Sequence, residues 1–203
     1  MSSLAERLRR SFAAHPEADA EPFLHHSDLI GDVAQLIRAA VLVPIIDAAA
    51  PRVLLTVRHA GLRSHAGQVA FPGGRIDPGD DGPVGAALRE AWEEVGLPAD
   101  QVDVIGPARS YGTGSGYLIT PVVGVIPEGL VLTPHEAEVA GLFEVPLDHL
   151  VAESNHRPNS VIREGTERHF YEIDWPAERI WGVTAGLIVN LAPRLRDALG
   201  WPA

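Results

Sequence analysis

The chain predicts a layered α/β domain built on a mixed sheet, and three observations point there. Short apolar strand-like runs stand before and after one strongly amphipathic helix, a second apolar helix ends the chain, and no internal repeat or low-complexity tract breaks the order. With 203 residues, one domain preceded by a terminal extension fits better than two domains, and we expect a helical extension over 1–36 and the domain proper over 37–203.

Taken in order, Leu4, Leu8 and Phe12 fall on one face of a short amphipathic helix, and helical segments up to about residue 36 break at Pro16 and Pro22. Glu6 and the lack of an apolar h-region argue against a targeting signal, despite the serines and arginines nearby. His25 and His26 are read as surface residues before a helix. The runs 39–47 (AAVLVPIID) and 52–58 (RVLLTVR), separated by AAAP, predict a hairpin of core strands. Further strand signals cover 102–111, 117–126, 130–133 and 141–145, interrupted by Gly112, Gly114 and Gly116. A mobile turn is expected at 111–117, since no clear helix follows to make its glycines a phosphate cradle. A short helix is expected at 146–151, a hairpin between 161–163 and 169–173 across Gly165, and a terminal helix at 184–199 with Leu187, Ile188, Leu191, Leu195 and Leu199 on one face and Pro193 inside it.

The central helix carries the chemistry. In 73–97, GGRIDPGDDGPVGAALREAWEEVGL, Val84, Ala87, Leu88, Ala91, Trp92 and Val95 form an apolar arc that predicts a core-facing side. Asp80 or Asp81 is the expected N-cap, Pro83 lies in the first turn, and Gly96 follows the last turn. Glu90, Glu93 and Glu94 cluster at i, i+3 and i+4, with Glu94 nearest the apolar edge. Two of them sit at the negative end of the helix dipole, where carboxylates repel, and Arg89 offers only a weak i to i+4 pairing with Glu93. A hard divalent cation would offset that repulsion. Taken alone, such a run is more often a solvated acidic face.

Its neighbours alter that balance. Gly74, Asp80, Arg89, Glu90, Glu93, Glu94, Gly96 and Leu97 resemble the signature of the Nudix hydrolases, with Asp80 in place of the first glutamate and one extra residue before Arg89. Immediately upstream, 54–74 (LLTVRHAGLRSHAGQVAFPGG) resembles the second signature of the coenzyme A diphosphatase branch, through Leu54, Leu55, Thr56, Arg58, Arg63, Gly67, Phe71, Pro72, Gly73 and Gly74. His59 departs from it, while the aspartate and the extra residue are usual in that branch. The resemblance implies an α/β/α sandwich with a catalytic loop-helix-loop. It also implies Mg²⁺ or Mn²⁺ held by Glu90, Glu94, Glu93 and the Gly73 carbonyl, with Glu93 alternatively orienting water. Arg89 would orient a glutamate, and Glu138, or second to it Glu136, would be a later catalytic or metal-binding carboxylate. Arg58 and Arg63 are candidate phosphate grips, since guanidinium groups bind phosphate in a bidentate way. Gly74 permits close backbone approach to substrate. His59 and His65 are read as loop residues.

The implied reaction is hydrolysis of coenzyme A or its thioesters to 4′-phosphopantetheine species and adenosine 3′,5′-bisphosphate. The alternatives are another diphosphate, such as ADP-ribose, a dinucleotide or a nucleoside triphosphate, and a catalytically silent nucleotide-sensing domain. Composition bounds the rest. A net charge of −11, from 16 basic and 27 acidic residues, opposes nucleic-acid and anionic-membrane partners. The absence of cysteine excludes disulfides and thiol chemistry. No run reaches the ~18 apolar residues of a membrane span. The expected partner is a small diphosphate, the expected compartment is the cytoplasm, and a homodimer is left open.

Overall fold

The computed structural model describes residues 2–14, 23–24, 33–62, 64–163, 165–176 and 178–201. The elements run α1 (Leu4–Ala14), β1 (Phe23–Leu24), β2 (Ile37–Asp47), β3 (Arg52–Arg58), β4 (Val69–Ala70), β5 (Gly73–Arg75), α2 (Gly82–Val95), β6 (Asp103–Pro107), β7 (Tyr111–Gly112), β8 (Tyr117–Pro127), β9 (Val139–Pro146), α3 (Leu147–Val151), β10 (His156–Arg163), β11 (Thr166–Ile173), β12 (Ile180–Trp181) and α4 (Gly182–Leu199). Short 3₁₀ turns lie at Val33–Gln35, Ala99–Gln101 and Glu153–Asn155. The segments with Pro16, Pro22, His25 and His26 lie outside the described residues.

Strands β2 and β8 pair in parallel over eleven residues and form the spine of a mixed sheet ordered β1-β7-β8-β2-β3-β4, with β5 added to β2, β6 to β8 and β9 to β3. The β2–β3 hairpin forms as its sequence predicts, with Ile45 opposite Val53. Strand alternation then divides the core in two. Val43, Ile45, Val53, Leu55, Val123 and Val125 face a cluster completed by α1, α3 and α4. Ala40, Leu42, Ile46, Leu54, Val122 and Ile126 face a second cluster completed by Ala86, Ala87, Ala91 and Val95 of α2. Helices thus cover both faces of the sheet, which is the expected α/β/α sandwich.

The N-terminal helix is part of this packing. Leu4 and Leu8 are buried, Ser11 Oγ donates to the Arg194 carbonyl, and Arg7 Nε donates to the Ala198 carbonyl of α4. Strands β10, β11 and β12 form a separate antiparallel sheet, with Val161 opposite Arg168 and Ile173 opposite Ile180. The hairpin expected near Gly165 therefore exists and is longer than its sequence signal. One expected strand is absent: 130–133 is irregular, and its continuation instead covers the end of α2, Thr133 N–H donating to the Val95 carbonyl and His135 N–H to that of Glu94. Those helix-end carbonyls need donors, and this segment supplies them. Among the described residues, no helix is long and apolar enough to cross a membrane.

Candidate functional site

Helix α2 starts behind Asp81, which makes no side-chain cap, and ends at Gly96 in the left-handed region (φ 67°) with Gly96 and Leu97 N–H groups bonded to the Trp92 and Ala91 carbonyls. The expected aspartate cap is corrected in one respect. Asp80 accepts two hydrogen bonds from Arg89, at 2.9 and 3.0 Å, and one from the Asp77 N–H at 2.7 Å. It closes the loop before the helix onto the helix body. These bonds, the Arg89 guanidinium foremost, hold the Asp80 carboxyl below its ordinary value.

The apolar arc is also rotated from its predicted centre. Ala87, Ala91 and Val95 are buried, but Trp92 is 58% exposed, while Ala86 and Glu94 are buried. Alanines on the sheet side let the helix approach closely, and that approach turns the bulky indole out and two glutamates in. Glu94 is only 5% exposed. Its Oε2 accepts from the Gly73 N–H at 3.1 Å, and Arg58 Nη1 lies 3.8 Å from its Oε1. Burial pushes the Glu94 carboxyl up to about 7, against the Gly73 bond and Arg58, with Glu90 and Glu138 adding to the rise. Glu90 is also raised, chiefly by burial, and Glu93 and Glu138 add to it while Arg89 opposes it.

The double glycine is what makes this approach possible. A Cβ on Gly74 would sit 2.3 Å from Glu90 Oε1, and one on Gly73 would sit 2.4 Å from the Ala40 carbonyl oxygen. Two carboxylates therefore converge on one stretch of side-chain-free backbone. Arg89 braces Glu90, and with it Glu93, from the outer side. Its Nη1 donates to Glu90 (2.9 Å) and Glu93 (3.1 Å), and its Nη2 donates to the Arg75 carbonyl (3.1 Å). Glu93 lies on the exposed side, 57% exposed. Glu138 is half exposed with His135 Nδ1 3.7 Å away, and it is near enough to raise both inner glutamates.

Among the described residues, no three His, Cys, Asp or Glu side chains form a ready-made metal cage. The donor chemistry nevertheless suits a hard cation: all are oxygens, two carboxylates share one backbone segment, and a buried Glu94 whose charge Arg58, 3.8 Å away, offsets less than burial penalises it gains from a cation. Glu90, Glu94 and the Gly73 carbonyl are the groups that could hold Mg²⁺ or Mn²⁺, with Glu93 and Glu138 at the periphery.

Beside the glycines opens a cleft of about 690 Å³. Its walls come from β3 (Arg58), the following loop (Ser64, His65, Gln68), β5 (Gly73, Gly74, Arg75), the segment 111–117, β11 (Arg168, His169, Phe170), and the start of α4. Arg58 reaches it because a bulge between Val57 and Arg58 re-aims the strand end. Its Nε is buried and has no hydrogen-bond partner among the described residues. Arg63 lies outside the described residues. His65 takes a positive φ of 57° with Nδ1 2.9 Å from Gln68 Oε1, so this loop holds local strain beside the cleft. The cleft role of 111–117 and of β11 is not evident from their sequences. The turn at Thr113, hydrogen bonded through its N–H and hydroxyl to the Tyr117 carbonyl, is a wall and not only a connection. No local pattern singles out Arg168, since the same hairpin also carries Arg157 and Arg163.

Comparison with known proteins agrees with this geometry. The NUDIX domain family model matches residues 36–164. An uncharacterized Nudix hydrolase, NudL, of Photorhabdus laumondii is 47% identical over 158 residues, 78% of this chain and 84% of that protein. NudL of Yersinia pestis is 45% identical over 158 residues, covering 78% of this chain and 79% of its own. Among solved structures, DR0079 of Deinococcus radiodurans shares the fold, with a TM-score of 0.51, 16% identity, and coverage of 79% of this chain and 87% of that one. With the family model spanning more than half of the chain and the carboxylate helix inside that span, the chain belongs to the Nudix hydrolase family.

Proposed function

We propose that the protein hydrolyses the diphosphate bond of a nucleoside diphosphate derivative, using Mg²⁺ or Mn²⁺. One observation carries the reading: Glu90 and Glu94 converge on the Gly73–Gly74 backbone at the edge of an arginine-lined cleft. The cation, held by Glu90, Glu94 and the Gly73 carbonyl, would neutralise charge on the phosphoryl oxygens and activate water. Arg58, whose Nε lacks a partner among the described residues, grips a phosphate from the cleft side. Arg63 is a second candidate grip. Arg89 holds Glu90 and Glu93 in place, and Glu138 is the candidate acceptor of the proton that the attacking water loses. Attack of water on one phosphorus breaks that phosphorus's bond to the bridging oxygen and leaves each half with a terminal phosphate, the water's proton going to Glu138.

Within this class, coenzyme A or its thioesters are the substrates that the segment 54–74 resembles. ADP-ribose and dinucleotides carry the same diphosphate, and the Glu90, Glu94 and Gly73 geometry serves all of them equally. The deciding experiment incubates the protein with Mg²⁺ or Mn²⁺ and coenzyme A, ADP-ribose, a dinucleoside polyphosphate and a nucleoside triphosphate, with products identified by mass. Adenosine 3′,5′-bisphosphate and 4′-phosphopantetheine from coenzyme A support the finer reading. Cleavage of ADP-ribose with coenzyme A intact supports the alternative, and binding without cleavage of any substrate supports a nucleotide sensor.

A further inference from the structure

The cleft is cationic in an acidic protein. Against a net charge of −11, the described residues that line it include three arginines, Arg58, Arg75 and Arg168, and no carboxylate. Two of the three are already placed. Arg58 lies near Glu94, and Arg75, next to the double glycine, donates to Tyr117 Oη at 3.2 Å with its guanidinium 5.8 Å from that ring's centroid. Arg168 is different. It stands on β11, half-buried, opposite Val161, and among the described residues its side chain makes no hydrogen bond or ion pair. Arginines in or beside the same sheet are paired, Arg157 with Asp174 and Arg179 with Glu172. A guanidinium facing a cleft, partly withdrawn from water and without a counter-charge, is a recognition group for an anion.

That anion is not the scissile diphosphate, which the Gly73–Gly74 segment and Arg58 already serve. A volume of about 690 Å³ lies in the range, about 300–1,000 Å³, that encloses a whole small molecule, so the remainder of a substrate extends along these walls. Arg168 lies just beyond residue 164, where the family match ends, on β11, a wall of the cleft that belongs to neither the carboxylate helix nor the double-glycine segment. Discrimination between substrates fits a wall outside the catalytic helix.

We propose that Arg168 is a specificity-determining residue that binds a phosphate monoester carried by the substrate in addition to its diphosphate. The inference rests on the diphosphatase reading only for the placing of that diphosphate. Substrates bearing the extra phosphate are then preferred over their analogues without it, and Arg168 carries the preference.

The test compares coenzyme A with 3′-dephospho-coenzyme A, and ADP-ribose 2′-phosphate with ADP-ribose, in the unmodified protein and in Arg168→Gln and Arg168→Lys. A charge-assisted phosphate contact predicts a kcat/KM ratio of about 10-fold or more for at least one pair. That ratio collapses toward one in Arg168→Gln and partly recovers in Arg168→Lys. A ratio that Arg168→Gln leaves unchanged, or no preference in the unmodified protein, overturns the proposal. A parallel calorimetric titration uses adenosine 3′,5′-bisphosphate and AMP, and needs no turnover. If no substrate is cleaved but the bisphosphate binds more tightly than AMP in an Arg168-dependent way, the diphosphatase reading fails and this one stands. Equal binding of the two nucleotides overturns it, and matching melting temperatures of the variants exclude misfolding as the cause.

Discussion

Glu94 concentrates the conflict between stability and function in one side chain. In the unfolded chain its carboxyl ionises near the ordinary glutamate value of 4.5, whereas in the metal-free fold burial pushes it up to about 7. Between those values the folded state holds a proton that the unfolded state has lost, so stability falls as pH rises through this window. The favourable contribution is fully present below about 4.5 and lost above about 7. Replacement by glutamine removes the charge and keeps the shape. Glu94→Gln is therefore expected to raise the metal-free melting temperature at pH 8 by a few degrees, on the order of 1–2 kcal/mol, while doing little at pH 4.5, and to abolish turnover. Thermal melts at the two pH values, with and without Mg²⁺, check this. A variant that melts lower at pH 8, or that turns over normally at saturating Mg²⁺, contradicts the assignment. That Glu94 would be the innermost of the three glutamates was legible from the helical wheel. Arg89 bracing Asp80 as well as the glutamates was not, because the pairing depends on how the loop before α2 folds back over Arg89.

At the scale of elements, the contact between α2 and β5 explains why a helix and a double glycine must come as a unit. The two glycines are confined by different neighbours, and so their substitution has different consequences. At Gly74 the added methyl meets the end of the Glu90 side chain, which can swing away. At Gly73 it meets the backbone of β2, at the Ala40 carbonyl and the Val41 Cα, which cannot move without parting β5 from its ladder. Gly74→Ala is expected to fold with a modest loss, about 1 kcal/mol, yet to weaken Mg²⁺ affinity and lower kcat/KM by about 10²-fold, because Glu90 is displaced. Gly73→Ala is expected to lose about 1–3 kcal/mol of stability as well. Denaturant melts beside Mg²⁺ titrations separate the two; equal loss of stability in both variants would mean that Glu90 is fixed and the site is rigid. The sequence wheel placed Trp92 in the core, and the structure turns it to the surface. Periodicity finds an apolar arc, but the small alanines, not the largest ring, set which part of that arc meets the sheet.

For the molecule as a whole, the layer order was legible from strand and helix patterns together with the family resemblance, whereas the cleft was not. Its walls come from segments more than a hundred residues apart, from Ala39 to Leu187 in chain order, and no local pattern reports that they meet. Nor does a pattern report that α1 packs on α4. This last contact carries a prediction about how the two halves of the core divide their duties. Leu8 is fully buried in the cluster of α1, α3 and α4, on the sheet face away from α2. Truncating it removes a large apolar side chain from a site held by helix packing, so Leu8→Ala is expected to cost about 2–5 kcal/mol. For a chain of this size each kcal/mol lowers the melting temperature by about 2–4 °C. The carboxylates, in contrast, belong to α2, whose buried alanines pack in the opposite cluster, which does not contain Leu8. Effects at such separated sites are close to independent. Below its melting temperature, Leu8→Ala should then keep the Mg²⁺ dependence of the parent protein while melting well below it. If its apparent Mg²⁺ affinity fell in step with its stability, the two faces of the sheet would be coupled, and α1 would belong to the catalytic unit instead of merely supporting the fold that holds it.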